Sequence, residues 1–110
     1  MKIAIIGSRS VQSLDLAQYL PDDVSCIISG GAKGVDSIAA SYARANGIEL
    51  QEFLPDYSKY PGRVAPLKRN DMIVAACDMV MAFWDGVSKG TKYTIDKARK
   101  SGKRVQIISV

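Results

Sequence analysis

Short apolar runs alternate along this chain with segments whose apolar residues recur every three or four positions. Residues 2–6, 24–29, 49–53, 78–83 and 104–108 read as strands. The first, second, fourth and fifth are nearly continuous in apolar residues, the pattern of strands covered on both faces. The third, Glu49-Leu50-Gln51-Glu52-Phe53, is more polar and predicts an edge strand. Between them the spacing predicts helices over residues 11–20, from Val35 to a stop at Gly47 with Asp36 as N-cap, from about 62–66 to 76, and over about 90–101. Asn70 falls on the stripe of Ile73, Val74 and Cys77, so the third helix aims an amide inward. Residues 54–62, with Pro55, Tyr57, Tyr60 and Pro61, are the least regular stretch and read as a surface loop of functional length.

This alternation predicts one α/β domain over residues 1–110: a three-layer, doubly wound parallel sheet of five strands. Right-handed crossovers favour the order 3-2-1-4-5, with the switch point between strands 1 and 4. Ligands of such sheets bind beyond the carboxyl ends of the strands at that point. Three glycine-bearing loops fall there: Gly7-Ser8-Arg9-Ser10, Ser29-Gly30-Gly31-Ala32-Lys33-Gly34-Val35-Asp36, and Trp84-Asp85-Gly86-Val87-Ser88-Lys89-Gly90-Thr91.

Their chemistry suits phosphate. A glycine turn lets backbone N–H groups approach an anion, and a helix N-terminus behind it adds unpaired donors and partial positive charge. The middle loop is neither a G-x-G-x-x-G dinucleotide fingerprint nor a P-loop. Ser8 adds a hydroxyl and Arg9 a guanidinium fork that matches phosphate bidentately. Lys33 offers a point charge, and Asp36 a carboxylate for a ribose hydroxyl. Arg69 beside Asn70, Ser88, Thr91 and the indole of Trp84 complete the candidate ligand set. Asp36, Asp85 and Arg69 are the candidate catalytic groups.

Composition narrows the field. With 47% apolar and 24% charged residues, the chain is of ordinary globular character. No apolar run approaches the roughly 20 residues of a membrane span, and the opening segment lacks a signal-peptide pattern. We therefore expect a cytoplasmic protein with no membrane partner. The absence of histidine removes Ser-His-Asp and Cys-His arrangements, and no metal site is expected. Cys26 and Cys77 sit in apolar surroundings and read as core residues. The net charge of +4 suits anionic ligands but is weaker than a dedicated duplex-DNA footprint.

The three loops, with Arg69-Asn70, resemble the SLOG superfamily, most closely its YspA/YpsA-like branch, and the similarity covers nearly the whole chain. The resemblance implies a Rossmann-like fold and a nucleotide or nucleotide-derived ligand, ADP-ribose-like species included, with no certain cofactor and no defined reaction. It also implies a homo-oligomer, an expectation to which the apolar helices at residues 35–45 and 72–76 add. Two related groups supply rival readings. In the Lonely Guy phosphoribohydrolases, Arg69 and the Gly90-Thr91 turn have counterparts, but Tyr93 and Thr94 stand where those enzymes carry paired glutamates. In DNA-processing protein A, Ser29 to Asp36 and Arg69-Asn70 have counterparts, which implies single-stranded DNA as a less favoured partner.

Overall fold

The computed structural model describes all of residues 1–110. Five parallel strands, β1 (Lys2–Gly7), β2 (Cys26–Ser29), β3 (Glu49–Glu52), β4 (Met79–Trp84) and β5 (Arg104–Ser109), form one sheet in the order β3-β2-β1-β4-β5. The period of two along the strands sorts the core into two halves. Ile3, Ile5, Ile27, Met81 and Phe83 point to the face covered by α1 (Val35–Ala45). Ala4, Ile6, Ile28, Val80 and Ala82 point to the face covered by α2 (Ala65–Ala76) and α3 (Lys89–Lys100). Cys26 and Cys77 are free thiols within that second half, and burial pushes both above their ordinary pKa. The Rossmann-like, three-layer α/β expectation and its strand order hold.

Three local readings are corrected. The first crossover holds only a single 3-10 turn, Leu16–Gln18, instead of a helix over residues 11–20. Asp15 starts this turn by accepting from Ala17 N–H and Gln18 Nε2, so its carboxylate serves a local turn and not helix propagation. Leu16 plugs fully into the core, and Val11, Leu14, Tyr19 and Leu20 pack against it. β5 is an edge strand like β3: Arg104, Gln106, Ile107 and Ser109 are exposed, because only α3 packs against it. Its apolar run reads as covered on both faces, yet Val105 and Ile108 alone reach the two core halves. Finally, α1 turns Ser37, Ser41 and Arg44 outward, so its free face is polar, whereas α2 exposes Met72. Proline in the first turn of α2 costs nothing, since that N–H would lack a helical partner anyway.

No helix is long and apolar enough to cross a membrane. Charge is unevenly spread. Residues 89–104 hold seven of the fifteen Lys and Arg but one of the eleven carboxylates, so the rest of the chain carries a slight negative excess.

Candidate functional site

Beyond the carboxyl ends of β1, β2 and β4, the three loops meet around a cleft of about 440 Å³. Small-molecule sites typically span about 300–1,000 Å³. Gly7, Ser8, Arg9, Ala32, Asp36, Arg69, Asn70, Asp85, Ser88, Gly90 and Thr91 line it. A second opening of about 480 Å³ adjoins it, shares Arg9, Ala32, Pro66 and Arg69, and takes in Gly30, Gly31 and Lys33. Four expected site residues, Ser29, Gly34, Trp84 and Gly86, line neither opening. Ser29 is fully buried, and its hydroxyl donates to Asp36 O. Trp84 Nε1 donates to Ser88 O at 3.0 Å and braces the third loop. Gly86 turns that loop outward, and Gly34 carries the chain into α1.

Counting where the loop amides go shows which donors each helix N-terminus keeps free. In the glycine-rich turn, Gly31 N–H donates to Ser29 Oγ (3.4 Å), Ala32 N–H to Asp36 Oδ2 (3.2 Å) and Val35 N–H to Ser8 O (3.4 Å). The Asp36 carboxylate is therefore the turn's own anion. It does not cap α1 as expected: the N-cap is Gly34, and Asp36 sits in the first turn and reaches back. The Lys33, Gly34, Asp36 and Ser37 amides have no acceptor in the chain. At α3 no carboxylate reaches back to the helix start. Ser88 is the N-cap but makes no side-chain capping bond, and the first backbone bond runs from Lys92 N–H to Ser88 O. The Lys89, Gly90 and Thr91 amides have no acceptor in the chain, and Gly90 and Thr91 border the cleft. Both helix N-termini thus keep free amides, and those of Gly90 and Thr91 border the cleft without a carboxylate of their own helix bonded beside them.

Buried Ser8 locks the first loop to the third. Its N–H donates to Phe83 O at 3.1 Å, and its Oγ accepts from Asp85 N–H at 3.2 Å. Asp85 in turn accepts from Val87 N–H (2.9 Å) and Ser88 N–H (2.8 Å). The Ser88 and Val87 amides hold its carboxyl below the ordinary range, so it stays ionised as a turn-former and is poorly suited to donating a proton.

Arg69 is buried; its Nη1 donates to Gly30 O and its Nε to Asn70 Oδ1 at 2.8 Å. Asn70 points inward as expected. A methyl group on Gly30 would lie 2.7 Å from Arg69 Nη1 and 2.9 Å from Asp36 Oδ2, so both charged groups close over that glycine. Burial lowers the Arg69 pKa, opposed by Asp36. Burial raises the Asp36 carboxyl, opposed by the Ala32 amide and by Arg69 and Arg9.

The Asp36 shift has a signed consequence. With the folded-state pKa above the unfolded one, the native protein binds more protons, and stability falls as pH rises from about 3.8 through the folded value. In urea titrations, Asp36→Asn is expected to gain on the wild type as pH rises through that window. A constant difference between the two proteins would show that burial does not penalise this carboxylate.

Thr94, at one of the two glutamate positions, lines the first cleft, and its hydroxyl donates to Gly90 O at 3.0 Å. Tyr93, at the other, donates to Asp71 Oδ1 at 2.8 Å, a bond that raises its pKa. Outside the expected ligand set, Ile6, Ser10, Pro66, Leu67, Ile73 and Thr94 line the first cleft, and Ser37, Leu54, Pro55 and Tyr57 line the second. Thr94, already singled out as a glutamate position, reaches the cleft because it lies one helical turn beyond Thr91. Leu54 and Tyr57 carry no motif and enter only because β3 lies beside β2.

Residues 1–60, which hold β1, β2 and the first two loops, match the YAcAr family, that is, the YspA, cpYpsA-related SLOG family. The chain belongs to this SLOG family. Its sequence is also similar to that of the Gene 61 protein of Mycobacterium phage D29, with 31% identity over 81 residues, covering 69% of this chain and 65% of the phage protein. Its fold is similar to that of DNA processing protein A (DprA) from Streptococcus pneumoniae, with a TM-score of 0.78 at 22% identity over 96% of this chain. The SLOG chain spans about half of that protein, 49%. At this identity the likeness speaks for the fold.

Proposed function

We propose that this SLOG protein binds a nucleotide or nucleotide-derived ligand, as a sensor or carrier, across the carboxyl ends of β1, β2 and β4. The observation that carries this reading is the uncapped α3 N-terminus opening on a cleft edged by the first two loops. The phosphate lies against the Gly90 and Thr91 amides, with Ser8, Ser88 and the exposed Arg9 around it. The ribose lies over Asp36, whose carboxylate accepts from a hydroxyl, and beside Asn70. Family membership supports a nucleotide-related role. Binding is favoured over glycosidic hydrolysis because both candidate carboxylates are already engaged, Asp85 by the Val87 and Ser88 amides and Asp36 by the Ala32 amide, and Thr94 brings none.

Arg9 tests this. A charge-assisted bond shielded from water is worth roughly 1.5–3 kcal/mol, so Arg9→Ala is expected to weaken nucleoside 5′-monophosphate binding about tenfold or more. Thermal stability is expected to stay nearly constant, because Arg9 is exposed. Calorimetry finding normal affinity in a destabilised variant would make Arg9 structural and sink the assignment.

A second reading rests on the basic strip of α3 and β5. Lys89, Arg99, Lys100 and Arg104 are exposed and have no carboxylate partner. This strip suits the backbone of a single-stranded nucleic acid, whose affinity falls with salt as counterions are released. An Arg99→Glu, Lys100→Glu double variant is then expected to flatten the salt dependence of oligonucleotide binding while mononucleotide affinity holds. An unchanged salt slope would remove this reading.

A further inference from the structure

The second opening shares the cleft's cations but has different walls. Leu54, Pro55 and Tyr57 supply an apolar side, Arg9, Lys33 and Arg69 line it as cations, and no carboxylate does. Leu54 is 67% and Tyr57 63% exposed, an unusual outlay of apolar surface at a sheet's ligand-binding edge. The loop that carries them is built, not loose. Phe53 N–H donates to Ser29 O at 2.9 Å, which continues β3 beside β2 into the loop. Asp56 Oδ1 accepts from Ser58 N–H (3.1 Å) and Lys59 N–H (3.2 Å), while Tyr60 N–H donates to Asp56 O (3.1 Å). Tyr57 rides on this turn and makes no hydrogen bond of its own to the protein. It is a flat aromatic surface held out to solvent with its ordering cost already met by its neighbours.

We infer that this second opening is a nucleobase subsite, in which the base of the ligand lies against Tyr57 and the Leu54–Pro55 wall. The inference rests on the phosphate and ribose placement proposed above and extends it. A ligand whose phosphate sits at α3 and whose ribose lies over Asp36 leaves the first cleft between Arg9 and Arg69, where the two openings join. The group attached to the ribose of a nucleotide is a flat ring, apolar on its faces and polar on its edges. Tyr57 offers it a stacking face, and the guanidiniums of Arg9 and Arg69 offer donors to its edge. Because Asp36 lines only the first opening, the carboxylate meets the sugar and not the base.

Calorimetry on the full chain with two probes, AMP and ribose 5-phosphate, separates the base subsite from the anion site. Tyr57→Ala is expected to weaken AMP binding by about five- to 150-fold, the range for losing one base–aromatic stack. Tyr57→Phe is expected to bind AMP within about twofold of wild type, since stacking needs the ring and not the hydroxyl. Ribose 5-phosphate is expected to bind all three proteins equally. Equal losses for both probes in Tyr57→Ala, or no loss for AMP, would overturn the base subsite and leave the anion site standing. A wild type that binds neither probe would overturn both.

Discussion

Gly34→Ala is expected to lower the melting temperature by roughly 10–25 °C, the largest loss from any single methyl group in this fold. Gly34 has φ 73°, where a side chain is strained by about 1–2 kcal/mol. A methyl group there would also press on Ser8 O and lie 2.6 Å from both Arg9 Cα and Arg9 O. These are backbone atoms of the first loop, which cannot swing aside as a side-chain tip can. Overpacking of this kind costs about 1–3 kcal/mol more. Relief would come only by separating the first loop from the start of α1, which breaks the Val35 N–H to Ser8 O bond and opens the cleft. Thermal unfolding within a few degrees of wild type would show that the two loops are not in contact as described.

Arg69→Met is expected to destabilise the domain by about 2–5 kcal/mol, because two buried acceptors lose their donor at once. Gly30 O and Asn70 Oδ1 would both be left without Arg69, and the raised Asp36 carboxyl would lose its nearer cation. Methionine fills much of the stem's volume, so the loss reports on hydrogen bonds and charge rather than on a cavity. Arg69→Lys is expected to recover little, since one ammonium cannot reproduce the fork that reaches both acceptors. Urea titrations with an unchanged slope and a lower midpoint would agree; an unchanged midpoint would mean that Arg69 is free in the cleft.

Much of this was legible in the chain itself. Strand order follows from the alternation of runs and from crossover handedness, and three glycine loops on one edge locate the cleft. The roles within it were harder to read. The glycine-rich turn around Gly30 and Gly31 looks like the natural phosphate cradle, yet three of its amides, those of Gly31, Ala32 and Val35, are taken by Ser29, Asp36 and Ser8. Whether an amide is free depends on which acceptor the fold brings to it, and Ser8 comes from another loop. The start of α3 behind Trp84–Thr91 also reads as an anion site, and there the helix starts without a side-chain cap. The misread segment at residues 11–20 has helical spacing, but Asp15 closes a local turn with Ala17 and Gln18. β5 misleads for the opposite reason: its composition is that of a covered strand, while its place in the order puts it at an edge.

Backbone amide NMR during titration with a nucleoside 5′-monophosphate tests the central claim most directly. The largest shifts are expected at Gly90 and Thr91, where free amides meet the phosphate, with smaller ones at Ser8 and Ala32 around the same cleft. No response at Gly90 and Thr91 at millimolar ligand, or shifts confined to Arg99, Lys100 and Arg104, would contradict it.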